Sequence, residues 1–155
     1  MKLRALLILS LIVSMGIAWA MFQHQIEIQN KTRIVVVGIQ AYVDSNCTIE
    51  LDYIDWGIMC PNDTATYEFY LFNQGNIPMN ITVYTDEWMF LDCNGSLVNI
   101  TTPSEYIVVS WSIPDIVEPH EVVLCSITLH VVDRHDFPFS SFTFTLYING
   151  VYYEE

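Results

Sequence analysis

Asp44, Glu50, Asp52 and Asp55 crowd into VDSNCTIELDYID, and carboxylates this close in a chain are the raw material of an oxygen-ligated calcium site. An EF-hand loop needs a fixed ligand order around a central glycine, which Asp44-Ser45-Asn46 lacks, so only a looser site between strands is open to these four acids. The competing reading is a charged strand edge that discourages sheet-to-sheet pairing. His24, His120, His130 and His135 lie apart, with no HExxH and no i, i+4 pair, and His130 alternates onto the wet face of its strand. Asp133-Arg134-His135-Asp136 reads as a solvated turn. No GxSxG, phosphate loop or papain-like cysteine surround occurs, and no nucleophile has a base at a useful spacing. The expectation is a protein that is not an enzyme and holds no cofactor unless calcium binds.

Aromatic residues offer a second chemistry, the stacking of sugar rings. Trp56 and Trp111 end strand-like runs, where large aromatics close a core, and that reading is preferred for them. Tyr152 and Tyr153, beside the acidic pair Glu154-Glu155, are the better candidates for a contact surface.

The most frequent functional pattern is the N-glycosylation acceptor N-x-S/T. It occurs at Asn30, Asn46, Asn62, Asn80, Asn94 and Asn99, where composition alone would give about one. Sugars at these positions require solvent-facing turns or strand ends and a chain that leaves the cytoplasm.

The amino terminus agrees with export. MKLRALLILSLIVSMGIAWAMFQ sets Lys2 and Arg4 before an uncharged run from Ala5 to Phe22 and the small-x-small triplet Ala18-Trp19-Ala20, the pattern of a signal peptide cut after Ala20. A run of this length also reaches the lower limit for crossing a bilayer, so a signal anchor through residues 5–22 is the alternative. Either way the rest of the chain is placed outside the cytoplasmic membrane. The whole chain has net charge −13; residues 1–20 hold two of its five cations and none of its eighteen acids, leaving 3 − 18 = −15. Such a field repels nucleic acid and anionic lipid. Cys47, Cys60, Cys93 and Cys125, an even number without CxxC spacing, read as disulfides in an exported chain. Three pairings are open, with a lean towards 47 with 60 and 93 with 125.

The elements that must position these residues have period two. TATYEFYLFN sets Tyr67, Phe69 and Leu71 on one face; VVLCSITLHVV does so with Val123, Cys125, Ile127, Leu129 and Val131; SFTFTLYIN with Phe142, Phe144, Leu146 and Ile148. Similar runs cover 33–44, 49–56, 79–88 and 105–111, separated by Cys-Pro-Asn-Asp, Gln-Gly-Asn, Asn-Gly-Ser and Pro-Asp turns. No amphipathic helix of three turns follows residue 22. The prediction is an all-β, antiparallel, immunoglobulin-like sandwich of seven or eight strands over 33–155, preceded by a hydrophobic signal helix over 1–20. Between them, 21–32 with its alternating QIEIQ forms either an edge strand or a strand offered to another molecule.

The ordered set GIQAYVDSNCT, IDWGIMCPNDTATYEFYLFNQGNIPMNITVYTDEW, YIVVSW and FSSFTFTLYING resembles a family of small secreted archaeal proteins. The matching positions are Asp44, Asn46, Cys47, Thr48, Ile54, Asp55, Trp56, Gly57, Pro61, Asn73, Gly75, Asn76 and Trp88. Asn62 stands where that family has glycine after proline, and Glu87 where it has asparagine before tryptophan. More loosely, the layout is similar to archaeal bundling-pilus subunits and to bacterial biofilm-matrix fibre proteins. That resemblance implies a non-catalytic subunit at the cell surface whose N-terminal strand, here Met21 to Val37, completes the sheet of the next subunit. Its partners are then copies of itself or other surface proteins, with no nucleic acid, and with membrane only through an uncleaved signal. The alternative is a monomeric or membrane-anchored binding module for sugar or calcium. An enzyme is a distant third reading, kept because some bacterial relatives of the fibre proteins are classed as peptidases.

Overall fold

Apolar side chains at every second residue can all be buried only if each strand lies in a sheet with one face covered, and ten strands meet that demand in two ways. The computed structural model describes residues 28–152. Its elements are β1 (Ile28–Val37), β2 (Gln40–Tyr42), β3 (Tyr53–Met59), β4 (Thr64–Phe72), β5 (Met79–Leu91), β6 (Leu97–Val98), a 3-10 turn η1 (Pro103–Glu105), β7 (Ile107–Ser112), β8 (Ile116–Val117), β9 (Val122–Val131) and β10 (Ser141–Tyr152). One sheet runs β3-β1-β10-β5-β6 with β8 added to β5; the other runs β2-β4-β9-β7.

The two inner faces share one core. Phe69 and Leu71 from β4, with Cys125, Ile127, Leu129 and Val131 from β9, pack towards Ile28, Ile34, Phe142, Phe144, Leu146 and Ile148 of the opposite sheet. These are the inward series expected for β4, β9 and β10. Trp88 stacks on Phe144 with ring centroids 4.4 Å apart, and Phe90, Phe139 and Phe142 extend the aromatic cluster. Offset and edge-on ring contacts of this kind add about 0.5–1.5 kcal/mol each beyond their area.

Five expectations change, the first being the strand count, which is ten among the described residues and not seven or eight. The run 33–44 is not one strand: it breaks at Gly38, and its halves join different sheets as β1 and β2. The boundary drawn between 32 and 33 falls inside β1. The pairing is not wholly antiparallel, because β1 runs parallel to β10 over nine register pairs from Gln29 with Ser141 to Val37 with Asn149. The run 49–56 yields β3 only from Tyr53; Ile49 and Leu51 instead bond back to Val43 and Ala41 as a small hairpin. The expected signal helix and Met21–Glu27 lie outside the described residues, and among those described no helix is long and apolar enough to cross a membrane.

Candidate functional site

No strand is more unusually placed than β1. It lies between β3, to which it is antiparallel over six register pairs, and β10, the last strand among the described residues. First and last strands pair in parallel, so the whole intervening domain is their crossover connection. Among the described residues its covalent tie to the rest of the sandwich is the two-residue link Gly38-Ile39 into β2. Gly38 has φ +76°, and a Cβ there would stand 2.3 Å from the carbonyl oxygen of Gly150, so only glycine fits this exit.

The inward row of β1 reads Ile28, Asn30, Thr32, Ile34, which sets two polar side chains in the core. Thr32 is fully buried, and its hydroxyl accepts a hydrogen bond from the Trp56 indole N–H at 2.8 Å. Asn30 is 2% exposed, and neither its Nδ2 nor its Oδ1 has a partner. This removes Asn30 from the glycosylation acceptors of the folded chain, since a residue closed inside a two-sheet core cannot carry a glycan. Asn46, Asn62, Asn94 and Asn99 are exposed, and Asn80 is half-buried on β5.

The outward row of β1 carries Gln29, Lys31 and Arg33. Lys31 lies 3.7 Å from Asp55 and its ammonium sits 6.0 Å from the Tyr53 ring centroid. Both charged groups are exposed, so the pair adds little stability. Two adjoining hollows of about 430 and 520 Å³ lie on this face and share Lys31 and Thr143. Two β-bulges border them: one sets Asn30 and Lys31 against Gly57 and Asp55, the other falls between Thr143 and Thr145 against Met89 and Asp86. At the second, Glu87 takes φ +55°, and its carboxylate accepts a 2.7 Å hydrogen bond from Thr145.

The four acids left open as a loose calcium site are not brought together. Asp44 folds back on its own loop, accepting from the amides of Thr48 and Ile49 and from the Thr48 hydroxyl. Those bonds, that of Ile49 first, hold its carboxyl below the usual carboxylate range. Asp55 accepts from the Gly57 amide and faces Lys31. Among the described residues no three His, Cys, Asp or Glu side chains gather as a metal would need. The expected disulfides do not form either, all four cysteines being free. Cys125 is buried in the core while Cys93 is exposed in the β5-β6 turn, and Cys47 and Cys60 belong to separate turns held by Asp44 and Asp63. Burial pushes the Cys125 thiol up to about 12.

Among the aromatics, Trp56 and Trp88 pack against the core but Trp111 is 41% exposed on β7, against the expectation of core closure. Tyr152 is 67% exposed at the end of β10, and Tyr153 lies outside the described residues. His130 is on the outer face as expected, with its Nδ1 2.9 Å from the Thr64 hydroxyl. Asn73 was overlooked as a structural residue: fully buried, it donates to the carbonyls of Ile77 and Val117 and accepts from the Gly75 amide, which builds the exposed 74–76 turn. Asn62 and Glu87 both stand at positive φ, 71° and 55°, where glycine and asparagine fit with least strain.

No protein-family model matches the chain, and no curated protein matches it. Among solved structures it is similar to the ASH/PapD-like domain 7 of human CEP192, with TM-score 0.36 and 16% identity over 61% of this chain and 77% of that one.

Proposed function

We propose that this protein is a non-catalytic, N-glycosylated extracellular structural subunit that joins copies of itself by strand addition, with β1 as the donated strand. The observation that carries the reading is the position of β1. It is tied to the sandwich by one two-residue link, yet it fills an interior slot between β3 and β10. A strand so placed serves equally well in its own sheet or in that of the next copy, because the hydrogen bonds to β3 and β10 are the same in both. The exchange costs only the extension of the chain at Gly38-Ile39, and each junction carries two ladders of main-chain bonds. Exposed acceptors at Asn46, Asn62, Asn94 and Asn99 leave the slot clear of sugar.

Cross-linking tests this directly. Lys31 and Thr143 are register partners on the outer face. In a background with Cys47, Cys60 and Cys93 changed to serine, Lys31→Cys protein mixed with Thr143→Cys protein and allowed to assemble should yield a mixed disulfide. Electron microscopy of the native material should show filaments. A disulfide formed only within a chain that carries both Lys31→Cys and Thr143→Cys, with a monomer at every concentration, would retire the fibre reading.

A second reading, a surface module that binds saccharide, is favoured by the hollow beside Tyr53, Lys31, Arg33 and Thr143. Retention on an acidic oligosaccharide column that is lost in Tyr53→Ala would support it.

A further inference from the structure

We propose that the open edge of β7 pairs with the same edge of a second copy across a two-fold axis through Val109, joining two four-stranded sheets into one of eight. This contact is separate from the exchange of β1 and does not depend on it.

The argument starts from which strand edges are protected. An exposed edge is a template for further pairing unless charge, proline, a bulge or brevity blunts it. Among the described residues every other edge is blunted. β2 spans three residues and β6 and β8 two each. The outer edge of β3 carries Asp55 and the bulge at Gly57. The stretch of β5 between β8 and β6 carries Asp86 and Glu87 at a bulge, and the part of β4 beyond β2 presents Glu68. β7 has none of these: from Tyr106 to Pro114 the sequence YIVVSWSIP has no charge, and Ile107–Ser112 pairs only with β9.

The hydrogen-bond parity shows which groups are free. The Val132 amide donates to the Tyr106 carbonyl, so Tyr106 and, by alternation, Val108, Ser110 and Ser112 bond to β9. The N–H and C=O groups of Ile107, Val109 and Trp111 therefore point away from the sheet. An antiparallel partner must bond to those three residues, and the self-complementary register is Val109 with Val109 and Ile107 with Trp111. It supplies about six main-chain hydrogen bonds. Trp111 then lies against Ile107 of the second copy on the inward side, and Val108 lies opposite Ser110 on the outer side.

The occupant follows from self-complementarity, since the register about Val109 sets Ile107 against Trp111 twice over, and the uncharged strip lets two copies of a chain at −13 meet with no like charges in contact. The strip itself exposes Val108 at 45% on its outer side and Trp111 at 41% on its inward side, so it has apolar surface to cover. A single strand pair buries less than the roughly 1,200 Å² of a standard interface, so the dimer is a concentration-dependent one.

Sedimentation velocity on the glycosylated protein from micromolar to millimolar concentration should show a monomer–dimer equilibrium. Val109→Pro removes an N–H that bonds to nothing within one copy and should weaken the dimer about tenfold or more. Val108→Lys with Ser110→Lys sets like charges opposite each other on an exposed face and should do the same, with monomer melting unchanged for this second variant. In a background with Cys47, Cys60 and Cys93 changed to serine, Val108→Cys mixed with Ser110→Cys should cross-link while neither does so alone, which reads the register. A dimer indifferent to both the proline and the lysine variants, or a monomer throughout, overturns the proposal; loss of the β1 cross-link leaves it standing.

Discussion

Asn30→Val should make the protein more stable, although it alters a side chain at the centre of a sheet. The Asn30 amide is 2% exposed and both its nitrogen and its oxygen lack partners. A buried amide that has given up its water and found no replacement costs about 1–3 kcal/mol. Valine removes that penalty, is close in volume and suits a strand better than asparagine. A gain of about 1–3 kcal/mol corresponds to roughly 4 °C per kcal/mol in a domain of this size. The assay is guanidinium unfolding followed by tryptophan fluorescence, on protein made in a host that adds no N-glycans so that loss of the acceptor is not a second variable. The midpoint should rise with the slope unchanged. Asn30→Asp should move the other way by several kcal/mol, since it buries a charge in the same place. If Asn30→Val lowers stability by more than about 1 kcal/mol, the amide has a favourable role in the monomer and the reasoning fails.

Other expectations follow from the same geometry. Gly38→Ala forces a side chain into positive φ and against the Gly150 carbonyl, so it should cost more than about 2 kcal/mol and should release β1 first, read as faster amide exchange across Ile28–Val37 than across β9. Thr32→Val strands the Trp56 indole N–H and should cost about 1–3 kcal/mol, with a shift in Trp56 emission. The carboxyls of Asp44 and Asp92 are held low, chiefly by the amides of Ile49 and Ser96. Groups whose folded value is depressed stabilise above their ordinary value, near about pH 4, and lose that contribution as pH falls through the folded value. The protection factors of the Thr48, Ile49 and Ser96 amides, which correct their exchange rates for the intrinsic pH dependence, should therefore fall only on acidification below about pH 4 and stay level from there to neutrality. The Cys125 thiol, raised to about 12 by burial, should resist alkylation in the native protein at pH 8 while Cys93 reacts.

Period-two alternation made β4, β9 and β10 legible to within three residues, because each has one face in a common core and hydrophobicity alternates with that demand. β1 was not legible in this way. Asn30 and Thr32 occupy inward positions, so the alternation fades where the strand is in fact most enclosed, and the pattern restarts only at Ile34. The break at Gly38 did leave a signal: a lone glycine inside an apolar run marks a bend or a close backbone approach, and here it marks both. The Asn30 acceptor was misread for a related reason. An N-x-T triplet reports composition and spacing, whereas burial of Asn30 depends on strands more than a hundred residues away in the chain. The acids of 44–55 looked like one site because they are neighbours in sequence, but the hairpin that bonds Ile49 to Val43 turns Asp44 onto its own loop and leaves Asp55 to face Lys31.

The polar positions of β1 bear on why such a strand would serve assembly. A purely apolar β1 would lock into its own sheet, and exchange between copies would need the loss of a large burial energy with no partner in reach. Asn30 reduces that hold by about 1–3 kcal/mol without affecting the ladder bonds, and the reduction applies equally in one copy or two. Its effect on the equilibrium is therefore small, but the strand leaves the slot faster, by up to about a hundredfold for the upper figure if the amide is rehydrated as the strand departs. Asn30→Val should then separate rate from position: mixed Lys31→Cys and Thr143→Cys proteins that also carry it should reach the same cross-linked fraction, much more slowly. A cross-linked fraction that falls while its rate of formation is unchanged would show that Asn30 acts on the assembled state and not on the exchange.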